Sequence, residues 1–275
     1  MNTEEKVAEH YSKEDLEEKI LRGLQALGID VNHASAADLA PVDEFHVGGL
    51  EATNELAAQM DLSPGLRLLD VGSGLGGPAR YFAAEHACRV TGVDLTKEYV
   101  QVAASLTRHL KLESSVDFRQ ASALEMPFEP ATFDRAIMIH VGMNIADKPA
   151  LFREVRRVLK PGALFTIFDL VRTAPGSLSY PLPWAATEDT SFVATAAEYH
   201  KALQSGGFHL ERERDRRDFS IAFTERMVAR MTQKGPAPLG LHLLTGGNTP
   251  AIINNLLSMM KQSVLEPTEM FARAF

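Results

Sequence analysis

Leu68–Phe82, LLDVGSGLGGPARYF, is the stretch on which the reading of the whole chain turns. Leu68, Leu69 and Val71 form a short apolar run, as in a strand buried inside a parallel sheet. Gly72, Gly74, Gly76 and Gly77 follow within six residues, and Pro78 then opens a helical pattern. Glycine reaches backbone angles closed to other residues and lets a ligand approach the main chain. Proline suits the first helical turn, where its missing N–H is no loss. Strand, glycine turn and free helix N-terminus together make a nucleotide-type site, and Gly72, Gly74 and Gly77 satisfy G-x-G-x-x-G. That fingerprint alone does not choose the ligand, so the neighbouring residues must.

Outward from this stretch the chain alternates. Strands are expected at 66–71, 89–94, 116–120, in FDRAIMIHV and in LFTIFDLV, with helices at 78–86, 97–110 and from Asp147 onward. Thr96 is the expected cap of the second of these helices. Such alternation requires a mainly parallel sheet covered by helices on both faces. Upstream, Leu16, Ile20, Leu24 and Leu27 mark one face of a helix at 13–26, with Ser12 as its cap. His33–Thr53 reads as irregular loop, followed by a helix at 51–60. Downstream, TAPGSLSYPLPWAATEDTSF reads as a lid or pocket wall. A helix at 196–204, a strand at 208–213 and a helical excursion at 219–265 follow, and TEMFARAF closes the sheet. The expectation is one α/β domain over 1–275, a doubly wound, seven-stranded Rossmann-like sheet. Residues 1–60 form a helical N-terminal cover, 61–172 the cofactor-binding core, and 173–275 the substrate-side loop, helical C-terminal cap insertion and closing strands.

Composition narrows the class. Of the 275 residues, 45% are hydrophobic and 23% charged, an ordinary globular balance. The net charge of -8 argues against a general nucleic-acid footprint. The first residues are too acidic for a signal peptide, and no apolar run approaches the ~20 residues of a membrane-spanning helix. Cys88 is the only cysteine, which leaves no intrachain disulfide and no cysteine metal cluster. A cytoplasmic protein without metal, membrane or nucleic-acid partner is expected.

Two acids bear on the cofactor. Asp94 ends the second strand about 20 residues past the glycine turn, where a carboxylate grips a ribose diol or merely caps a helix. Asp70 lies inside the first strand, two residues before Gly72. A dinucleotide's pyrophosphate disfavours an acid there, whereas a cationic ligand such as S-adenosylmethionine accepts one. A purely local acid shaping the turn remains the alternative.

LLDVGSGLGG, TGVDLT, MPFEPATFD and LKPGALF, in this order and spacing across about 60–171, resemble the class I S-adenosylmethionine-dependent methyltransferases. DEFHVGGLEAT, HVGMNIAD and YPLPWA resemble the sarcosine/dimethylglycine methyltransferase-like group within them. The resemblance implies S-adenosyl-L-methionine as cofactor. Gly72, Ser73 and Gly74 would run beneath its methionyl and ribose parts, Asp94 would accept the ribose hydroxyls, and Leu95 would pack on the adenine. Ser122, Ala123 and Leu124 would edge the adenine. Ser122 departs from the pattern, since an aspartate often stands there to accept the adenine amino group.

Methyl transfer needs alignment and exclusion of water more than acid–base apparatus. His140, at the end of the fourth strand, is the catalytic candidate, either as base or as a positioning residue. His46, from the segment that the family uses to cover the methionine end, and Tyr11 are further cofactor candidates. Met143, Asn144 and Trp184 are the substrate-side candidates. An indole in PLPWA would wall a cavity, hold a cationic amine or simply pack. ERERDRRD reads as a solvated, self-paired strand end rather than an anion site. Ile253, Leu256, Met260 and Val264 form a helical face, either core or homodimer contact. The implied activity is methylation of a small-molecule acceptor, foremost N-methylation of an amine such as sarcosine or dimethylglycine. O- or C-methylation of a natural product or lipid-like acceptor is the alternative within the class. A nicotinamide-dependent oxidoreductase and a non-catalytic cofactor-binding protein are the alternatives outside it.

Overall fold

The computed structural model describes residues 2–13 and 15–275. Its sheet has seven strands: β1 (Arg67–Val71), β2 (Arg89–Asp94), β3 (Val116–Gln120), β4 (Phe133–Ile139), β5 (Leu159–Arg172), β6 (Phe208–Asp215) and β7 (Leu265–Ala274). They lie in the order β3-β2-β1-β4-β5-β7-β6. The first five run parallel, and β7 is antiparallel to both β5 and β6. Strand order therefore reverses at β1, which places the ends of β1 and β4 side by side at a switch point, where open α/β sheets bind ligands.

Side-chain alternation divides the core. Leu69, Val71, Ala136 and Met138 face α7 (Lys148–Val158) and α8 (Ala196–Ser205), whose Leu151, Phe152, Val155 and Tyr199 are buried against them. Leu68 and Ile137 point the other way, onto Leu56 of α4 (Gly49–Ala57), Ala79 and Phe82 of α5 (Gly77–His86) and Ala103 of α6 (Lys97–His109). Asp70 shares the parity of Leu68 and enters this second face as a buried acid.

The N-terminal cover departs from expectation. Two helices, α1 (Thr3–Tyr11) and α2 (Leu16–Ala26), replace the single one expected; Glu14, within that expected span, lies outside the described residues. Asn2 starts α1 through a reciprocal pair with Glu5, at 2.9 and 2.7 Å. Ser12 thus ends α1 instead of capping the next helix, and Asp15 begins α2 at φ 56°. Leu16, Ile20 and Leu24 are buried as the periodicity requires, but Leu27 falls past the helix end and is 46% exposed. The expected loop at 33–53 contains α3 (Ala36–Asp43), where the Asp38 carboxylate accepts from the Ser35 N–H at 2.8 Å and its hydroxyl at 2.7 Å. Thr96 precedes α6 without capping it through its side chain.

The C-terminal excursion comprises α9 (Arg217–Lys234), α10 (His242–Thr245) and α11 (Thr249–Lys261). Leu256 and Met260 of α11 pack with Leu182, Trp184 and Leu265, so that helical face is interior rather than an oligomer contact. The charged strand end is not paired with itself. Arg214 and Arg216 reach Glu269 on β7 and Glu55 on α4, and Arg273 binds Glu211. Neighbouring elements supply these counter-charges, which the one-dimensional pattern could not show.

A buried ion pair joins the cover to the sheet. Arg80 of α5 donates to Asp43 at the end of α3 (2.6 Å), with the two side chains 0% and 1% exposed. Removing one partner strands the other charge in low dielectric. Asp43→Ala is expected to destabilise the protein by about 3–5 kcal/mol in denaturant unfolding. A loss well below ~1 kcal/mol would show that Arg80 does not depend on it.

Candidate functional site

The glycine turn leaves β1 and folds back over β2. Gly72 and Ser73 donate their N–H groups to the Val93 carbonyl at 2.7 and 2.9 Å, and Gly76 donates to Ser73 at 2.8 Å. Gly72 (φ 74°) has no room for a side chain, since a Cβ would sit 2.7 Å from Cγ1 of Val141. Gly74 (φ 52°) is different, because a Cβ there would meet nothing and would project into open space. Close packing fixes the first glycine and access to a cavity the second.

That cavity, of about 300 Å³, lies over the ends of β1, β2 and β4. Every candidate named from the sequence borders it: Tyr11, His46, Asp70, Gly72, Ser73, Gly74, Asp94, Leu95, Ser122, Ala123, Leu124, His140, Met143, Asn144 and Trp184. Asp43, Phe45, Tyr99, Leu244 and the α1 residues Glu4 and Val7 border it too, and the sequence reading gave them no role. The motif DEFHVGG contained Asp43 and Phe45, whereas of α1 only Tyr11 had been linked to the site.

Asp94 lies on the cavity lining and is held there by two backbone donors. One carboxylate oxygen accepts the Gly74 N–H and the other the Thr96 N–H, each at 2.8 Å. Those contacts fix the carboxylate at the cavity wall, and each oxygen retains lone-pair capacity for a further donor. Asp70 is 2% exposed, and its Oδ2 has no protein partner. Burial, reinforced by Glu44 and Asp94 and only partly offset by Arg80, pushes its carboxyl up to about 8. The Ser73 hydroxyl is also unpartnered. Asp43 is pushed up to about 6 by burial, with Arg80 opposing and Glu44 adding to the rise.

The histidines differ. His46 sits 2.7 Å from Glu44 and 3.1 Å from the Thr53 hydroxyl, and that hydroxyl also donates to Glu44 at 2.7 Å. His46 is therefore held by the protein. His140 adopts φ 54°, donates its N–H to Phe168 at 2.7 Å and packs its ring on Phe168 at 4.9 Å. Its Nε2 is buried and unpartnered. Burial and the adjacent His46 hold its basicity well below that of an ordinary imidazole, so it is neutral at pH 7.

Asn144 joins three segments. Its Oδ1 accepts the Tyr11 hydroxyl at 3.0 Å, and its Nδ2 donates to the Trp184 carbonyl at 2.9 Å. Trp184 is 1% exposed and donates its indole N–H to Ser191 at 2.9 Å, so its polar edge is already satisfied. Met143 is buried beside it. Around the whole cavity the described lining residues include no lysine and no arginine.

Comparison with known proteins agrees with this architecture. Residues 69–167 match the methyltransferase domain family. A phosphoethanolamine N-methyltransferase of Triticum aestivum is 33% identical over 182 residues, 66% of this chain and 35% of that protein. Geranyl diphosphate C-methyltransferase from Streptomyces coelicolor A3(2) superposes with a TM-score of 0.73 over 100% of this chain and 98% of that one, at 16% identity. A Galdieria sulphuraria protein assigned as a sarcosine dimethylglycine methyltransferase gives 0.70 over 82% and 85%, at 18% identity. Residues 69–167 carry the methyltransferase domain, and that match together with the fold supports a class I S-adenosylmethionine-dependent methyltransferase, whose cofactor is S-adenosylmethionine. The chain spans 35% to 54% of the length of the first three curated relatives that it matches.

The residues present fit that cofactor. An unpartnered buried carboxylate, a wall carboxylate with spare acceptor capacity and an open glycine suit a ligand carrying cationic groups and a ribose. A cation in the cavity favours ionised Asp70, so binding below pH 8 releases a proton and affinity rises with pH toward that value. Calorimetry near pH 7 in buffers of different ionisation enthalpy is expected to show this release in wild type. It should vanish in Asp70→Asn, and identical proton release in both proteins would assign the titration elsewhere.

Proposed function

We propose that this chain transfers the methyl group of S-adenosylmethionine to an uncharged, mainly apolar small molecule. The observation that carries the choice of acceptor is the cavity wall: Phe45, Ile139, Val141, Met143, Ile145 and Trp184 face it, with no lysine or arginine among the described lining residues. Burying a carboxylate or phosphate there without a counter-charge would cost several kcal/mol. Sarcosine and dimethylglycine, foremost by resemblance, both carry a carboxylate. The alternative from the same class, a natural-product or lipid-like acceptor, suits the wall better. A nicotinamide dinucleotide would set its pyrophosphate against Asp70, which disfavours the dehydrogenase reading.

The bound cofactor supplies a methyl carbon already activated by a sulfonium. The protein's part is placement. Asp94 receives the ribose hydroxyls, while Asp70 offers carboxylate charge to the cationic end. Asn144, fixed from both sides, and Met143 hold the acceptor face. Neutral His140 presents its free Nε2 as a hydrogen-bond partner that orients the acceptor; as a weakened base it is a poor proton sink. The lid and α1 exclude water, and alignment provides the acceleration.

A mass-spectrometric screen that pairs neutral amines, phenols and terpenoid or polyketide alcohols with carboxylated and phosphorylated amines tests the acceptor class. A methyl-sized mass gain is expected on neutral, apolar compounds. Turnover confined to sarcosine, dimethylglycine or phosphoethanolamine would overturn it.

His140→Gln is expected to lower kcat by a factor that stays constant from neutral to alkaline pH, measured at saturating cofactor. A base role would instead cost about two decades or more at neutral pH and shrink as pH rises.

A further inference from the structure

The sheet order sets where each part of the cofactor lies. From the glycine turn after β1, through Asp94 at the end of β2, the next wall is the loop after β3, Ala121–Leu124. Ala121 donates its N–H to the Asp94 carbonyl at 3.1 Å, which ties that loop to the ribose carboxylate. A base attached to a ribose at Asp94 therefore rests against 121–124.

This wall is poor in acceptors. Ser122 provides its single side-chain polar group, and that hydroxyl is already engaged. It accepts the Leu124 N–H at 3.1 Å and donates to Glu4 Oε1 at 2.5 Å. The Ser122 hydroxyl brings a charged acceptor to this wall, Glu4, delivered by α1 from outside the sheet. Its helix is held in place independently: by Tyr11 on Asn144, by Ser12 on Glu98 at 2.7 Å, and by buried Val7.

We propose that Glu4 is a cofactor-specificity residue, whose carboxylate receives the exocyclic amino group of adenine and whose position is set by the Ser122 hydroxyl. Adenine offers that N6 amino group as a donor. A carboxylate acceptor makes the bond charge-assisted, which Ser122 alone would not. The cofactor pocket is then completed by a helix outside the sheet, and docking of α1 and binding of the adenine favour each other. This inference rests on the cofactor reading above.

Calorimetry with S-adenosylhomocysteine and its 6-deamino analogue, in which purine replaces adenine, reads the contact directly. Wild type is expected to prefer the adenine form by about one to two decades. In Glu4→Ala the adenine form weakens to the level of the analogue, whose affinity stays unchanged, so the preference disappears. Glu4→Gln retains a neutral acceptor of similar shape and should keep part of the preference. The same preference in Glu4→Ala as in wild type would overturn the proposal. So would equal weakening of both ligands, which marks Glu4 as a docking contact for α1 alone. If wild type binds neither ligand, the cofactor reading fails and this inference falls with it.

Discussion

Arg80 is the group on which the rest of the site depends. Its guanidinium is 0% exposed, a costly placement unless several acceptors surround it. Four come from three elements: Asp43 of α3 at 2.6 Å, the Leu75 carbonyl of the glycine turn at 2.6 Å, and Ala103 and Thr107 of α6 at 3.2 and 3.1 Å. One side chain thus binds the cover, the ligand turn and the helix that follows Asp94. Gly77 permits this approach, because a Cβ there would lie 2.7 Å from the Asp43 backbone carbon. The turn is held by main-chain bonds to Val93 and by the bond of its Leu75 carbonyl to a buried cation, and so presents a fixed main chain to a ligand.

The other wall is built around buried acids as well. Asp169, 0% exposed at the far end of β5, accepts from the Tyr199 hydroxyl at 2.6 Å and from the Gly142 N–H at 2.9 Å. It therefore fixes the turn that carries Met143 and Asn144. Gly142 has to be glycine, since any Cβ would collide with Tyr199 and Asp169. Lys148 donates to the carbonyls of Ile145 and Phe192, at 2.5 and 2.8 Å, and fastens the lid to the same turn. Burial lowers this lysine to about 8. Precision at the cavity thus originates from residues that do not line it.

The central sheet was legible in the sequence because its strands are buried on both faces and its helices carry a clear apolar face. Period and turn chemistry locate β1 through β5 without tertiary information. The cover was less legible. Asn2 and Ser35 start helices through short-range pairs with Glu5 and Asp38, while the residues between carry weak periodicity. The lining residues of the sheet follow from motif position, since each sits at a strand end. Arg80 and Glu4 do not, for one lies inside a helix and the other far upstream. Their roles arise from partners 37 and 118 residues away, Asp43 and Ser122. Likewise the charged strand end gains its meaning from Glu269 and Glu55, both distant in sequence.

Charge economy then explains what the cavity can hold. Asp43, Asp70 and Asp94 border it and Glu44 lies behind them, while the cation that pairs with Asp43, Arg80, is consumed by the scaffold. With no cation present, Asp70 keeps its proton and His140 stays neutral, so the cavity limits its own repulsion. A ligand that brings positive charge relieves the repulsion among the acids, whereas an anion would add to it. On the proposed reaction the cofactor enters with a sulfonium and leaves as an uncharged thioether, so the acids attract it more strongly before transfer than after. On the same proposal the acceptor meets the apolar residues of the lining, where shape and desolvation set the selection. On that reading the acids of the lining select the cationic cofactor, and its apolar residues select the uncharged acceptor.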